Sequence, residues 1–204
     1  LTGAKLYERK KWVLDIADLN GKEKILTGSL PGGIKQRLAL GTAVIHSPKI
    51  VFLDEPTSGV DPLSRRNFWD LINLLSAQGT TVFVTTHYLE EAEYCNNIIL
   101  IDAGKLIAEG NPKQLKTKYI TDPIFEISCT NPIESMDLLS KNKNVLEVSL
   151  FGNSLHVLVK DSSDTKENLI EYIKPVSEIK SIDKIVPTLE DVFIHLVDKR
   201  EAND

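Results

Sequence analysis

Apolar residues in the first part of the chain recur at helical spacing in some segments and form short unbroken runs in others. The spacing predicts a helix that ends at Asn20-Gly21 and another that begins at Pro31-Gly32-Gly33. The runs at Ile50–Leu53 and Thr81–Thr85 are typical of strands that are buried on both faces. A helix is predicted between these strands, and a short acidic helix leads to a third strand at Ile98–Ile101. This alternation predicts an α/β sheet with right-handed crossovers.

The pattern changes around Lys118–Pro123, and the elements beyond it are shorter and differently ordered. The order strand, helix, strand, strand, helix, strand is that of a ferredoxin-like α+β module. A last helix is predicted to begin at Thr188, which with Asp191 has the spacing of a capping box. We therefore expect an α/β domain over residues 1–118 and a small ferredoxin-like module over residues 123–204.

Composition narrows the class of protein. The formal net charge of -5 argues against a nucleic-acid partner or a polybasic membrane anchor. No apolar run approaches the roughly 20 residues that a membrane span needs, and no signal peptide is recognisable after Leu1. The two cysteines, Cys95 and Cys129, lie far apart, which fits a reduced, cytoplasmic setting.

Two carboxylates follow the first buried strand directly. Asp54 and Glu55 should lie at the carboxyl edge of the sheet, where α/β proteins bind ligands. Asp54 could hold Mg²⁺ directly or through water, and Glu55 could orient or deprotonate an attacking water. From the residues alone, a strand that simply ends in a polar turn is an equally good interpretation.

Three further segments favour the chemical interpretation. Leu30–Arg37 is a glycine turn that enters a helix, where unpaired amides and the helix dipole suit a phosphate. Ser58–Asp61 follows the carboxylates, and His87 ends the next strand on the same edge as Glu55. The alternatives are an ordinary helix start, an ordinary loop and a structural histidine.

The ordered set LPGGIKQR, IVFLDEP, SGVD and TTH resembles the second half of the nucleotide-binding domain of ATP-binding cassette (ABC) transporters. Leu30–Arg37 matches the signature motif, Ile50–Glu55 the Walker B strand, Ser58–Asp61 the D-loop and His87 the switch histidine. The resemblance covers about Tyr7 to Gln114. The segment PTLEDVF near the C-terminus is similar to the small extension of exporter-type ATPases, which pair with a separate membrane subunit.

The resemblance implies an ATP-hydrolysing subunit that uses ATP and Mg²⁺ and drives export through a membrane permease from the cytoplasmic face of the cell membrane. Two such domains would sandwich two ATP molecules head to tail. Glu55 would be the catalytic base, Asp54 the Mg²⁺ ligand through water, His87 the γ-phosphate sensor, and Asp61 the link across the dimer. The nucleotide-binding residues of the signature would be Leu30, Pro31, Gly32, Gly33 and Ile34.

The sequence departs from the family pattern in two ways. Pro31 replaces the signature serine and has neither a hydroxyl nor an N–H to offer a phosphate. No Walker A motif is present, because Ile34 stands where the motif needs lysine after Gly28 and Gly33. We therefore expect a C-terminal part of a longer ATPase. By itself it should hydrolyse no ATP, and it should associate through exposed sheet surface.

Two other functions stay open at this point. One is a soluble ABC ATPase outside transport, which would need coiled-coil inserts or basic surfaces that the sequence lacks. The other is a non-enzymatic regulatory or ligand-binding protein, which the ferredoxin-like half would suit. His46, His156 and His195 have no partners at ligand spacing and are interpreted as surface or core residues.

Overall fold

The computed structural model describes residues 2–160 and 166–201. They fall into two compact units, which divide between Tyr88 and Leu89. The boundary at 118–123 stays a prediction. The elements of the first unit are α1 (Gly3–Ile16), a 3₁₀ turn (Thr27–Ser29), α2 (Gly32–Val44), β1 (Ile50–Asp54), α3 (Pro62–Ala77) and β2 (Thr81–Thr85).

The first unit is built around a parallel β1–α3–β2 crossover. β1 and β2 pair in parallel from Ile50 opposite Thr81 to Asp54 opposite Thr85. α3 packs against β2 and buries one face, which consists of Phe68, Trp69, Leu71, Ile72 and Leu75. This pairing brings the carboxyl ends of both strands to the same edge, as the sequence predicted.

Helix α1 packs against α2 at a glycine. A β-carbon on Gly41 would lie 2.6 Å from Val13 Cγ1, so only glycine allows this approach of the two helices. Arg9 on α1 donates from Nε to the carbonyl oxygen of Ile45 at 3.1 Å and from Nη2 to that of Val44 at 2.8 Å. The guanidinium thereby supplies donors to two carbonyls at the C-terminus of α2, of which that of Val44 also accepts from the Ser47 amide at 3.0 Å.

The prediction that β1 and β2 are buried on both faces is wrong for this chain. Phe52 is 75% exposed, and Ile50 and Phe83 are also exposed, while Val51 is buried. The rings of Phe52 and Phe83 lie 5.7 Å apart on the open face. Within the described part of this unit the sheet has two strands, so α3 covers one face and the other stays apolar and open. The predicted association through this surface stays a prediction.

The second unit begins with a short helix and a hairpin. Its elements are α4 (Leu89–Ala92), β3 (Ile98–Asp102), β4 (Lys105–Gly110), α5 (Pro112–Tyr119), β5 (Ile124–Cys129), α6 (Pro132–Leu139), β6 (Val145–Phe151), β7 (Ser154–Val159), α7 (Lys166–Ile173), β8 (Ile179–Ile185) and α8 (Leu189–Glu201). β3 was expected as a third strand of the α/β sheet. It pairs instead with β4 in antiparallel fashion, because Ala103 and Gly104 adopt positive φ and form a tight turn.

Helix α5 was not predicted from the sequence, although a local signal existed. The Asn111 side chain accepts a hydrogen bond from the Gln114 amide at 2.8 Å, and the Gln114 side chain accepts one from the Asn111 amide at 3.5 Å. Pro112 occupies the first helical position. This capping box with an N-terminal proline is a recognised helix start.

The rest of the second unit confirms the ferredoxin-like prediction. Among the described residues its larger sheet has the antiparallel order β6–β7–β5–β8. One face packs against α6 and α7, where the fully buried residues include Ile127, Leu139, Leu155, Val157, Leu169 and Ile173. The other face packs against α8 through a cluster that includes Ile124, Leu158, Leu189 and Val192.

Two histidine–carboxylate pairs hold α8 on that face. His156 Nδ1 on β7 lies 2.7 Å from Asp191 Oδ1 on α8, and both side chains are buried. His195 Nδ1 on α8 lies 3.0 Å from Glu147 Oε2 on β6. His156 and His195 are thus residues of the fold, as interpreted from the sequence, and each has a carboxylate partner that is distant in sequence and adjacent only in the fold.

Asp191 also caps α8, as the sequence predicted. The amide and hydroxyl of Thr188 donate to Asp191 Oδ2 at 2.6 and 2.7 Å, and the Asp191 amide donates to Thr188 Oγ1 at 3.1 Å. Burial disfavours the charged carboxylate, but the hydrogen bonds from His156 and Thr188 outweigh it and lower the pKa of Asp191.

The lowered pKa of Asp191 predicts an acid-sensitive attachment of α8. Its stabilising contribution is complete above the unfolded pKa and is lost as pH falls through the folded pKa. Asp191→Asn should reduce the protection of the α8 amides against hydrogen exchange at pH 7 by about tenfold or more. Glu190→Gln, which removes an exposed charge from the same helix, should have no such effect. A protection loss that is equally large below the folded pKa would contradict the assignment.

Candidate functional site

The site lies at the carboxyl ends of β1 and β2, where Thr85 holds both carboxylate residues in place. The Glu55 amide donates to the Thr85 carbonyl oxygen at 3.1 Å and contacts Thr85 Oγ1 at 3.2 Å. The Thr85 hydroxyl donates to Asp54 Oδ1 at 2.5 Å. One side chain on β2 therefore fixes the backbone of Glu55 and the side chain of Asp54.

Glu55 has an unusual backbone conformation. Its φ of +42° lies in the left-handed region, which residues other than glycine rarely occupy. Such conformations cost free energy and persist where the surrounding structure enforces them, commonly at functional sites. Here the hydrogen bond to the Thr85 carbonyl oxygen extends the pairing with β2 to Glu55, one residue past the end of β1.

Glu55 and His87 face each other at this edge. His87 Nδ1 lies 3.2 Å from Glu55 Oε1, and the two side chains are 54% and 49% exposed. The sequence predicted the two residues on the same edge, and the structure brings them into contact. Their catalytic roles stay predictions. A carboxylate in contact with an imidazole, both open to solvent, can exchange protons with a bound substrate.

Sequence reasoning missed two residues that support His87. The ring of Tyr88 lies against the His87 ring, with centroids 4.0 Å apart and planes tilted by 39°. The guanidinium carbon of Arg65, from α3, lies 4.4 Å from the Tyr88 ring centroid. The amide of Tyr88 donates to Thr86 Oγ1 at 3.0 Å. No local sequence pattern links Tyr88 to Arg65, so these contacts could not be predicted from the motifs.

The predicted phosphate-binding turn starts α2. Pro31 is the residue before the helix, and Gly32 begins it with open space around the position of a β-carbon. Leu30 is buried against Ala17 and Leu19, and Ile34 packs against the same cluster. Leu30 and Ile34 therefore anchor the turn, while Pro31 and Gly32 present its backbone.

Gly33 has a contact that the sequence did not predict. A β-carbon there would lie 2.6 Å from Ser64 Cβ and 2.7 Å from Ser64 Oγ, at the start of α3. Asp61 caps α3 by accepting a hydrogen bond at 2.9 Å from the Ser64 amide. Hydrogen bonds from the Ser64 side chain and amide lower the pKa of Asp61. The signature turn (Leu30–Ile34) and the D-loop (Ser58–Asp61) are therefore neighbours, because Gly33 and Asp61 both contact Ser64.

Comparisons with known proteins match both parts of the chain. Residues 110–197 match the family described as ATP-binding protein DrrA1-3-like, C-terminal domain, and residues 28–91 match an AAA domain family (AbiEii toxin, Type IV TA system). Nod factor export ATP-binding protein I of Rhizobium johnstonii is 37% identical over 185 residues, which is 90% of this chain and 57% of that protein. The chain is therefore similar, over most of its length, to a protein named for Nod factor export, and it spans little more than half the length of this relative.

Another relative and two solved structures are also named as parts of ABC transporters. The Escherichia coli protein named "Probable multidrug ABC transporter ATP-binding protein YbhF" is 57% identical over 96 residues, which is 47% of this chain and 17% of that protein. Among solved structures, cbiO1 of Clostridium perfringens, part of the ABC transporter complex cbiONQ, has a TM-score of 0.53 and 28% identity. That match covers 58% of this chain and 48% of cbiO1. The ADP conformation of MJ1267, an ATP-binding cassette of an ABC transporter, has a TM-score of 0.53 at 25% identity, over 60% of this chain and 49% of that one.

Within residues 2–160 and 166–201, no helix combines the length and the apolar character that a membrane crossing requires. Over the same residues, no three His, Cys, Asp or Glu side chains cluster as a metal-binding group.

The contact at Gly33 predicts opposite effects for two adjacent glycines. Gly33→Ala forces a β-carbon against Ser64 and should lower the free energy of unfolding of the first unit by about 1–3 kcal/mol. Gly32→Ala, one residue earlier in open space, should leave it unchanged or raise it by up to about 1 kcal/mol. Urea unfolding followed by the fluorescence of Trp12 and Trp69, both in this unit, measures both variants. Equal stability of the two variants would contradict the packing role of Gly33.

Proposed function

We propose that this chain is part of the ATP-binding and ATP-hydrolysing subunit of an ABC transporter that drives export through a separate membrane permease. The single observation that carries the proposal is the contact between Glu55 and His87, beside Asp54, at the carboxyl ends of two paired parallel strands. The names of the relatives and the ABC structures of similar fold support the same function.

Glu55 acts as the general base in this proposal. Its carboxylate accepts a proton from the water that attacks the γ-phosphorus of ATP, while the bond from that phosphorus to the bridging oxygen of ADP breaks. His87 Nδ1 lies 3.2 Å from the Glu55 carboxylate, and an imidazolium ring, which carries protons on both nitrogens, would also donate from Nε2 to a γ-phosphate oxygen. The support of Tyr88 for the His87 ring restricts the directions in which that nitrogen points.

Asp54 fits the role of a Mg²⁺ ligand through water. The side chain is exposed and presents hard oxygen atoms, of which Oδ1 is oriented by the Thr85 hydroxyl. Mg²⁺ in nucleotide sites keeps several waters and takes one or two carboxylates together with the phosphates, so a lone aspartate suits it. When bound, the ion would neutralise charge on the phosphate oxygens.

The signature turn is proposed to contact ATP held by a second nucleotide-binding domain in a head-to-tail dimer. Gly32 supports this role, because its backbone lies in open space at the positive end of α2. Pro31 removes one donor from the turn, so the amides after it would supply the contacts. Leu30 and Ile34 act by anchoring the turn, and Asp61 lies close enough through Ser64 to sense its position.

The membrane permease is the proposed second partner, with the protein bound to the cytoplasmic face of the cell membrane. The resemblance of PTLEDVF to exporter-type extensions and the relatives named for export support this arrangement. The net charge of -5 gives no support for a nucleic-acid partner.

Removing the proposed base tests the function in the full-length protein. Glu55→Gln keeps the size of the side chain but cannot accept the proton, so kcat for MgATP hydrolysis should fall by about 10²–10⁴-fold. KM should change little, because ATP binding does not need this carboxylate. Release of inorganic phosphate measures both parameters.

Glu8→Gln is the matched control for this experiment. Glu8 is an exposed glutamate on α1 of the same unit, so its replacement should leave kcat unchanged. An unaltered kcat in Glu55→Gln would contradict the proposed mechanism.

The chain of 204 residues by itself is proposed to be inactive. Its sequence has no Walker A lysine to hold the β- and γ-phosphates, so MgATP should bind very weakly. A thermal melt with millimolar MgATP should show no rise in Tm, since only a ligand that binds the folded state raises it. A concentration-dependent rise would show that the described residues hold nucleotide unaided.

A further inference from the structure

His87 lies in an exposed segment that follows β2, and its contact with Glu55 is a weak restraint. Nδ1 lies 3.2 Å from Glu55 Oε1, but the His87 side chain is 54% exposed. An exposed pair of this kind contributes little to stability, because both side chains lose rotational freedom and solvent screens their attraction. A histidine that has to meet both a carboxylate and a bound phosphate therefore needs further contacts that fix its ring.

The ring of Tyr88 supplies one such contact. Its centroid lies 4.0 Å from that of the His87 ring, with the planes tilted by 39°. The Tyr88 amide donates to Thr86 Oγ1 at 3.0 Å, which restrains the backbone beside His87. That hydrogen bond does not fix the side-chain torsions of Tyr88, so the position of its ring depends on the groups that pack against it.

Arg65 packs against the Tyr88 ring from the first turn of α3. Its guanidinium carbon lies 4.4 Å from the ring centroid, which is within the range of about 6 Å for a cation–π interaction. The arginine is itself restrained, because its side chain is half-buried and its Nε is shielded from solvent. Its amide donates to the carbonyl oxygen of the helix cap Asp61 at 2.9 Å. Arg65 therefore connects the Tyr88 ring to a well-defined helix start.

We propose that Arg65 is a positioning residue for ATP hydrolysis that acts on His87 through Tyr88. The guanidinium holds the Tyr88 ring, the ring holds the imidazole of His87, and the imidazole stays within reach of Glu55 and of a γ-phosphate. This role rests on the proposed ATPase function. The contacts themselves all lie within the first unit, so they can be measured without nucleotide.

Hydrolysis of MgATP by the full-length protein tests the role of Arg65. Arg65→Gln keeps a polar side chain but removes the cation, so kcat should fall by about threefold to tenfold, as expected for a partly buried cation–π contact. Arg66→Gln is the matched control, because it removes the adjacent, exposed cation of the same helix and should leave kcat unchanged. Full kcat in Arg65→Gln, or an equal fall in Arg66→Gln, would overturn the proposal.

Variants of Tyr88 test whether Arg65 acts through this ring. Tyr88→Phe keeps the ring and should keep kcat, whereas Tyr88→Leu removes it and should lower kcat at least as much as Arg65→Gln does. Adding Arg65→Gln to Tyr88→Leu should cause no further fall, because the contact is already lost. Additive losses in the double variant would overturn the proposed route.

NMR spectra of the full chain test the positioning of His87 without ATP. The Tyr88 ring shifts the ring-proton resonances of His87, because an aromatic ring current acts on protons that lie against it. Arg65→Gln should move these resonances toward their positions in Tyr88→Leu, and Arg66→Gln should leave them in place. His46, an exposed histidine, is the internal reference. Unmoved His87 resonances in Arg65→Gln would overturn the proposal.

These measurements separate failure of the positioning role from failure of the proposed function. If Glu55→Gln keeps its kcat, the hydrolytic function fails, and the positioning role fails with it. If Glu55→Gln loses its activity while Arg65→Gln keeps its kcat or its His87 resonances, only the positioning role of Arg65 fails.

Discussion

The parallel pairing of β1 with β2 is the constraint on which the candidate site depends. Residues that end parallel strands necessarily meet at one edge of a sheet, so Asp54, Glu55 and Thr85 become neighbours although thirty residues separate them. The pairing continues one step past β1, where the Glu55 amide bonds to the Thr85 carbonyl oxygen. That last bond holds Glu55 at positive φ and brings its side chain to His87. A shift of the strand register by one residue would separate all of these groups from one another.

A second constraint links this edge to the signature turn. Gly33 allows the start of α2 to touch Ser64, and Ser64 is held by the capping residue Asp61. Asp61 is only six positions after Glu55, in the loop between β1 and α3. The carboxylates are therefore connected to the turn by this short loop and by the packing of Gly33 against Ser64. Movement of α2 therefore has to be accommodated by the D-loop, because the space at Gly33 is already filled. This gives a physical path by which a displacement of the turn can reach the edge that carries Asp54 and Glu55.

The sequence correctly predicted the features that depend on residues near one another in the chain. Strand ends, the glycine turn and the Thr188–Asp191 cap are short-range patterns, and most elements of both units were predicted. It did not predict contacts between residues that are distant in the chain. His156 and His195 gain their carboxylates only when α8 lies on β6 and β7, and Tyr88 gains Arg65 only when α3 packs beside β2. Burial of β1 and β2 was predicted wrongly for a related reason. An apolar strand indicates that both of its faces can be covered, but it does not indicate which segment of chain covers them. Roles such as general base and phosphate sensor depend on bound groups and stay predictions.

The polar residues of α8 explain how the second unit holds this helix on its sheet. The helix attaches to its sheet by an apolar stripe that includes Leu189 and Val192, and beside that stripe lie Asp191 and His195, one helical turn apart. Asp191 is fully satisfied by His156 and Thr188, so it can only stabilise the fold. His195 uses one nitrogen for Glu147 and leaves the other unpaired. Burying that nitrogen without a partner costs about 1–3 kcal/mol, so the His195 pair should stabilise the attachment of α8 less than the His156 pair does.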